Sequence, residues 1–155
     1  MTTVLYNHKE RKIALDSRIS NGGFITSDEF DKTITNEKGT WFFCGDTCDY
    51  EEMSKLSHGD KVNTDNLPDC MALLVDDDSG VYCVIVNHDG YCKYTKTTYV
   101  EGIGSGHKYA IAALDFGKSC FDAVKYAAKK DLHTGGSIRL YDVDKRKFIS
   151  VLDNV

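Results

Sequence analysis

The opening stretch MTTVLYNHKERKIALDSR, residues 1–18, decides the fold. Apolar residues cluster at positions 2–7 and 12–16, with a polar run between them. Two such runs around a polar turn are typical of a β-hairpin. One interpretation is purely structural, because many domains tie their first strand into a sheet. The other is chemical: once Met1 is removed, Thr2 has a free α-amine, and an N-terminal threonine can use that amine as its general base.

Length and composition indicate one globular domain spanning residues 1–155. Hydrophobic residues make up 41% of the chain and charged residues 28%, which is ordinary for a folded domain. The formal net charge of −5 lacks the basic excess of a nucleic-acid-binding protein. No apolar stretch approaches the roughly 20 residues that a membrane span needs, and no leader opens the chain. We therefore expect a cytoplasmic protein with no nucleic-acid or membrane partner.

The cysteines allow three interpretations. A disulfide framework requires an oxidising compartment and a small, loop-rich chain, which the composition does not favour. A zinc site is weakly indicated, because the Cys44–Cys48 spacing supplies only half of a ligand set. Buried structural thiols are the favoured interpretation, so no metal and no cofactor are expected. The six residues are Cys44, Cys48, Cys70, Cys83, Cys92 and Cys120.

The first half of the chain has the pattern of short strands joined by turns. Strands are predicted at residues 31–36 and 40–44, ending at Gly45, with a short helix over residues 47–56. Two more apolar strands, residues 71–75 and 80–86, flank the acidic turn cluster at residues 76–79.

The second half changes to a helical period. A helix is predicted from Gly106 to Gly117, and a second begins at Ser119, whose side chain suits an N-cap. A final hairpin is predicted over residues 137–143 and 147–152. Strands, two consecutive helices and strands again indicate an α+β architecture, with helices packed against a mostly antiparallel double sheet.

Familiar catalytic motifs are weak. The glycine-rich stretch GIGSG, residues 102–106, could cradle a phosphate at a helix N-terminus, but its spacing is not GxGxxG and no βαβ unit surrounds it. A tight turn that brings the helix close to the sheet explains it better. The acidic run at residues 76–78 suits a solvated hairpin tip, the histidines have no metal-binding spacing, and no cysteine has a recognisable nucleophile context.

An ordered set of short motifs carries more information than any one of them. The motifs are Thr2-Thr3-Val4, Ala14-Leu15-Asp16-Ser17-Arg18, Asp31-Lys32, Cys44-Gly45, Gly104-Ser105-Gly106 with Tyr109-Ala110, and Asp131-Leu132-His133-Thr134-Gly135-Gly136. With these motifs in this order, the chain as a whole resembles the β-type subunits of proteasomes, and in particular the bacterial proteasome-like peptidase that works beside a ring ATPase and shares the Met-Thr-Thr start. The resemblance implies the four-layer αββα sandwich of the N-terminal-nucleophile hydrolases.

The resemblance implies a role for each matching residue. Thr2 would be the nucleophile through its hydroxyl, and its α-amine, which ordinarily titrates at roughly 7.7 to 8.0, would be the base. Lys32 would lie beside that hydroxyl and favour its alkoxide-like state, and Asp16 would pair with Lys32. Gly45 would present its backbone N–H to the oxyanion.

Three further positions would orient the α-amine: Ser105 and Asp131 directly, with Thr134 in support. An apolar substrate pocket would include Ile19, Phe30 and Phe43. The function implied is that of a threonine-type endopeptidase that cleaves peptides or unfolded proteins. It would work in a homo-oligomeric ring, with a ring ATPase unfoldase as a possible partner.

Alternatives remain open on the sequence alone. Each matched residue has a structural interpretation: Asp16 and Lys32 could be an ordinary ion pair, Gly45 a strand terminator and Ser105 a helix cap. A non-catalytic scaffold subunit with the same fold, or an amidase acting on small amides, would fit the same pattern. The chain also departs from the family between residues 45 and 71, where there is room for one short helix and the family carries two longer ones.

Overall fold

The computed structural model describes residues 2–149 and is an α+β structure built mainly from strands. It divides into two compact units, residues 2–31 with 99–149, and Lys32–Thr98. The predicted end of the last strand, residues 150–152, lies outside the described residues. The strands are β1 Thr3–Asn7, β2 Lys12–Leu15, β3 Ile19–Asn21, β4 Phe24–Ser27, β5 Thr33–Asn36, β6 Gly39–Gly45, β7 Cys70–Val75, β8 Val81–Val86, β9 Cys92–Lys96, β10 Glu101–Gly104, β11 Arg139–Asp142 and β12 Lys147–Ile149; the helices are α1 Tyr50–Ser54, α2 His107–Asp115 and α3 Cys120–Ala128.

The first unit is organised around the predicted N-terminal hairpin. Strands β1 and β2 pair antiparallel, with Val4 opposite Leu15. They occupy the middle of a five-stranded sheet of order β10-β1-β2-β11-β12. Every residue of β1 is buried, as expected for a strand with neighbours on both sides and a covered face. The opening of the chain is therefore the centre of this sheet, and its first residues lie beside β10.

Helices α2 and α3 cover one face of this sheet. Their apolar stripes pack on β1 and β2, and the core includes Leu5, Ala14, Ala110 and Val124. The buried residues of α2, Ala110 and Ala113, have small side chains that allow a close approach to the sheet. At the start of α3, the hydroxyl of Ser119 accepts a hydrogen bond of 3.2 Å from the backbone N–H of Asp122. The predicted N-cap is thus confirmed.

A separate two-stranded sheet, β3 and β4, extends from the first unit. Its turn consists of Gly22 and Gly23, and both have positive φ angles, as a tight two-residue hairpin requires. The strands beside the turn were not predicted, because their outer residues have no buried partner. Phe24 is 78% exposed, so hydrophobic alternation gave no inside face to recognise.

The second unit is an antiparallel meander of order β5-β6-β7-β8-β9. The predicted hairpins β5–β6 and β7–β8 are confirmed, with Asn36 opposite Gly39 and Val75 opposite Val81. Aromatic side chains pack on one face of the sheet. Phe43 lies between Trp41 and Tyr50, at ring-centroid distances of 5.9 and 4.5 Å.

The prediction of one helix over residues 47–56 is wrong, because the helix in the structure is shorter. A single 3-10 turn covers Thr47–Asp49, and α1 then runs only from Tyr50 to Ser54. The short polar residues before Tyr50 compete for backbone hydrogen bonds and favour turns over helix. Tyr50 and Met53 are the apolar residues of α1 that the unit buries, so the apolar stripe that would extend the helix is missing.

Within the described residues, no helix is long and apolar enough to cross a bilayer.

All six cysteines are free thiols. Burial raises the pKa of Cys44 and of Cys70 to about 12, so these thiols stay protonated and have little nucleophilic character near neutral pH.

Candidate active site

Thr2 lies immediately before β1 and is almost completely buried, with 1% of its surface exposed. Its Oγ1 hydroxyl donates a hydrogen bond to Oδ1 of Asp16, which follows the end of β2. The pairing of β1 with β2 accounts for this meeting, because the backbone N–H of Asp16 also donates to the carbonyl of Thr3 at 3.3 Å. The hairpin predicted from the first 18 residues thus places a carboxylate against the hydroxyl of the second residue.

The carboxylate of Asp16 accepts several hydrogen bonds. The backbone N–H of Thr3 donates to Oδ1 at 3.0 Å, and those of Gly135 and Arg18 donate to Oδ2 at 2.9 and 3.3 Å. Asp16 itself is 1% exposed. Because backbone N–H groups cannot rotate away, this set of donors fixes the orientation of the carboxylate.

A second carboxylate, Asp131, gathers two hydroxyl groups. Ser105, in the turn between β10 and α2, donates to its Oδ2 at 2.5 Å, and Thr134 donates to the same atom at 2.6 Å. Burial alone would raise the pKa of Asp131, but the hydrogen bonds from Ser105 and Thr134 outweigh it and hold the pKa below its usual value. Asp131 is therefore an ionised acceptor near neutral pH.

The loop after α3 joins this carboxylate to the end of β2. The carbonyl of Gly135 accepts hydrogen bonds from the backbone N–H groups of Ser17 at 3.2 Å and Arg18 at 3.1 Å. The guanidinium of Arg18 also donates to the carbonyl of Leu132 at 3.2 Å and forms a salt bridge with Asp28 at 2.7 Å. The segment from Asp16 to Arg18 and this loop are thus held together over their length.

Thr3 connects the Asp16 and Asp131 groups, and the sequence analysis did not predict a role for it in the site. Its hydroxyl lies 2.7 Å from that of Thr134, while its backbone N–H binds Asp16. The alternation of side chains along β1 is the signal that could have found it: consecutive residues of a strand point to opposite faces. Thr2 and Thr3 can therefore serve two different partners.

The glycine-rich stretch has a packing role in the structure. Gly104 has a φ of +92°, and a Cβ at that position would lie 2.0 Å from the carbonyl oxygen of Thr2. A residue with a side chain would be strained there and would displace the N-terminal strand. The space at Gly104 and Gly106 is filled by Thr2 and Thr3, and that at Gly102 by His107 and Ile111 of α2, so the phosphate-binding alternative has no support in this structure.

Five of the seven predicted catalytic residues therefore meet in the first unit. Lys32 and Gly45 belong to the second unit. Lys32 precedes β5 and is 1% exposed, and its carbonyl accepts a hydrogen bond of 2.9 Å from the backbone N–H of Phe43. Gly45 ends β6 with a φ of +103°, and a Cβ there would lie 2.4 Å from the carbonyl oxygen of Asp69. The five residues of the first unit are Thr2, Asp16, Ser105, Asp131 and Thr134.

The predicted substrate-binding residues differ in exposure. Ile19 begins β3 and Phe30 follows β4, and both are partly exposed. Phe43 is fully buried in the aromatic stack of the second unit. Whether the three share a pocket stays a prediction.

Within residues 2–149, one group of side chains has the spacing to hold a metal ion: Asp46, Cys48 and Asp49, beside the 3-10 turn of the second unit. Asp46 and Cys48 are exposed, and Asp49 already accepts a hydrogen bond of 2.8 Å from the backbone N–H of Asp69. Exposed acidic groups at a turn commonly have solvent as their partner, so no catalytic role is assigned to this group.

Known proteins share the fold of this chain, but no match was found by sequence. No protein-family model and no curated protein matches the chain. Among solved structures, Thiobacillus denitrificans BPH in complex with epoxomicin is similar, with a TM-score of 0.66 and 15% sequence identity, over 90% of this chain and 97% of that one. Eukaryotic HslV from Trypanosoma brucei has a TM-score of 0.64 and 16% identity, over the same shares of the two chains.

At such low identity the likeness concerns the fold. It nevertheless extends over nearly the whole length of both neighbours, and both are proteasome-like threonine peptidases. The resemblance seen in the ordered sequence motifs is therefore confirmed at the level of the fold: the chain has the fold of the proteasome-type N-terminal-nucleophile hydrolases.

Proposed function

We propose that the chain is a threonine-type endopeptidase subunit that uses Thr2 as its nucleophile after removal of Met1. The observation that carries the proposal is the convergence of two carboxylates, Asp16 buried and Asp131 partly buried, and their hydroxyl donors at Thr2 and Thr3. A structural hairpin needs no such cluster beside its first residue. The fold supports the same conclusion, because its solved neighbours are peptidases.

In the proposed reaction, Oγ1 of Thr2 attacks the carbonyl carbon of a peptide bond while its proton passes to the Thr2 α-amine. The C–N bond then breaks, the leaving amine takes that proton, and the acyl group remains on Oγ1 as an ester. Water, deprotonated by the same α-amine, hydrolyses the ester and restores the hydroxyl. Two easier steps replace one difficult step, without a cofactor.

The cluster in the first unit supports specific parts of these steps. Before the attack, Asp16 would hold the Thr2 hydroxyl in place by accepting its hydrogen bond, which is released when the proton moves to the α-amine. Since the hydroxyl proton of Ser105 is held by Asp131, the lone pairs of Ser105 can accept an N–H of the α-amine. The amine's own lone pair would then be free to act as the base.

Two roles extend to the second unit. Lys32 would lie beside Oγ1 and, paired with Asp16, would stabilise developing negative charge on that oxygen. The backbone N–H of Gly45 would bind the oxyanion. Ile19, Phe30 and Phe43 would contribute to a substrate pocket that favours apolar side chains. We propose these roles from the resemblance and from the positions of the residues in the chain.

On the scale of the assembly, we propose a single proteasome-like domain over residues 1–155, built as a four-layer αββα sandwich. Its copies would form a homo-oligomeric ring in the cytoplasm that confines peptide or unfolded-protein substrates, with a ring ATPase unfoldase as the partner that feeds it. Nucleic acid and membrane have no part in this proposal.

The first prediction tests the nucleophile. A peptide epoxyketone needs both a threonine hydroxyl and a free α-amine on the same residue, so intact-mass measurement before and after incubation reports both. We expect a wild-type chain without Met1 to gain one stoichiometric adduct. Thr2→Ala should lose Met1 but gain none, and Thr2→Ser should react more slowly.

An intact Met1 and no adduct on the wild-type protein would contradict the peptidase. That outcome would favour a scaffold subunit of the same fold. An adduct with hydrolysis of small amides and none of peptides would favour an amidase.

A further inference from the structure

Thr3 is fully buried at the start of β1, beside the proposed nucleophile, and the peptidase reaction outlined above gives it no task. It nevertheless has a polar partner on each side. Its backbone N–H donates to Oδ1 of Asp16 at 3.0 Å, and its Oγ1 lies 2.7 Å from Oγ1 of Thr134. One residue thus touches both halves of the cluster.

The direction of the hydrogen bond between the two threonines follows from counting protons. A hydroxyl has one proton, and that of Thr134 is committed to Oδ2 of Asp131 at 2.6 Å, because an ionised carboxylate can only accept. The hydroxyl of Thr3 must therefore be the donor to Thr134. The result is a directed chain from Thr3 through Thr134 to Asp131, where Ser105 donates to the same oxygen.

The packing around this chain leaves little room for rearrangement. A Cβ added at Gly106 would lie 2.1 Å from Oγ1 of Thr3, 2.7 Å from Oγ1 of Thr134 and 3.1 Å from Oδ2 of Asp131. The backbone of Gly106 has a φ of −90° and a ψ of 0°, which residues with a side chain also adopt. The space above the hydroxyl pair, and not the backbone conformation, therefore requires glycine at this position.

From this geometry we propose that Thr3 is a positioning residue of the peptidase: its hydroxyl fixes Thr134 and Asp131, and through them Ser105, in the orientation that holds the α-amine of Thr2. The inference rests on the proposed function. Hydrogen-bonded chains strengthen one another, so the donor at the start of the chain influences the acceptor at its end. Because its N–H also binds Asp16, the same residue keeps the two carboxylates in register.

The second prediction compares Thr3→Val with Thr3→Ser in the full chain after Met1 removal. Valine keeps the branched shape and loses the donor, while serine keeps the donor. We expect the maximal rate of epoxyketone adduct formation to fall about tenfold in Thr3→Val, the factor that corresponds to one hydrogen bond. The epoxyketone concentration that gives half of this rate should stay within about twofold, since Thr3 does not touch the substrate. Thr3→Ser should react within about twofold of wild type.

The outcomes separate the inference from the function on which it rests. A wild-type protein without an adduct overturns the peptidase and this role together. A wild-type adduct that depends on Thr2, combined with an unchanged rate in Thr3→Val, overturns the role alone. Equal losses in Thr3→Val and Thr3→Ser also overturn it, because shape and not the hydroxyl would then be responsible.

Gly106→Ala provides a second test that leaves Thr3 unchanged, and it decides the question if Thr3→Val does not fold. The added methyl group would push the two hydroxyls apart. We expect a lower maximal adduct rate in a protein that retains its folded circular-dichroism spectrum. A folded Gly106→Ala protein that reacts like wild type would overturn the inference.

Discussion

At the scale of single residues, the cluster around Thr2 is organised by two carboxylates in different surroundings. Asp16 accepts hydrogen bonds from three backbone N–H groups, while Asp131 accepts two from side-chain hydroxyls and one of 3.3 Å from the backbone N–H of His133. The first arrangement is rigid because it is part of the fold. The second depends on rotatable groups, so substitutions can perturb it without unfolding the chain.

The third prediction concerns the pH dependence of stability and Asp131. Because hydrogen bonds hold its pKa below the usual value, its ionised form stabilises the folded state above the ordinary carboxyl pKa of about 4. This contribution is lost as the pH falls through the lowered pKa. We expect Asp131→Asn to be less stable than wild type near neutral pH, with the difference shrinking below about pH 4.

Urea unfolding at several pH values measures this difference. Thr134→Ser, which keeps a donor hydroxyl toward Asp131, is the matched control and should retain most of the wild-type dependence. A gap between Asp131→Asn and wild type that stays constant from neutral to acid pH would contradict the assigned cause.

Among the elements, β1 has the largest influence on the site. It lies between β10 and β2 in the sheet, and its two neighbours supply Ser105 and Asp16 from the turns at their ends. The pairing of β1 with β2 is predictable from the pattern of residues in the opening hairpin, whereas the role of Asp16 was implied by the resemblance, which gave Lys32 as its partner. The contact between β1 and β10 joins residues about 100 positions apart, and nothing local in the sequence specifies such a pairing.

The fourth prediction tests the contact of β10 with the first residues. Gly104→Ala adds a Cβ at 2.0 Å from the carbonyl oxygen of Thr2, at a φ of +92°. Gly23, in the exposed β3–β4 turn, has a similar φ of +87° and nothing within 4 Å. Gly23→Ala therefore measures the backbone strain alone, expected at about 1–2 kcal/mol.

Gly104→Ala should cost about 1–3 kcal/mol more, because the clash adds to the same strain. Chemical denaturation of both variants gives the comparison. Equal losses of stability would show that Gly104 is needed only for its backbone angle. The packing of the glycine-rich turn against Thr2 would then be unimportant.

On the scale of the whole molecule, the chain shares its fold with BPH and HslV at 15 to 16% sequence identity, while no protein-family model matches it. A fold tolerates replacement of most residues when the pattern of buried positions is kept, and function then has to be argued from the site. In the second unit, Tyr50 of the short helix α1 stacks on Phe43, which in turn stacks on Trp41.

The fifth prediction concerns assembly. Several large apolar side chains are exposed in the described chain, including Phe24 at 78%, Phe116 at 90% and Leu132 at 84%. Exposed groups of this size are available for contacts between copies. Native mass spectrometry over a dilution series should give a closed oligomer whose mass is an integer multiple of the chain mass. A monomer at all concentrations, from a preparation that forms the Thr2 adduct, would contradict the ring and leave the nucleophile intact.

The sequence by itself determined the local elements and the order of the motifs. The opening hairpin, the cap at Ser119 and the strand end at Gly45 follow from alternation and capping chemistry that act within a few residues. The length of α1 and the existence of the exposed β3–β4 hairpin could not be predicted from the sequence. Both depend on how much of each element is buried against residues distant in the chain.

Only the tertiary structure decided which hydroxyl meets which carboxylate. Thr3 and Thr134 are 131 positions apart and share one hydrogen bond, and the turn at Gly106 is shaped by their contact. Such meetings depend on strand register and on loops that fold back over the sheet, where a shift of one residue exchanges the two faces. The order of the motifs, through its resemblance to a known family, therefore named the candidates for the site, while long-range packing fixed their partners.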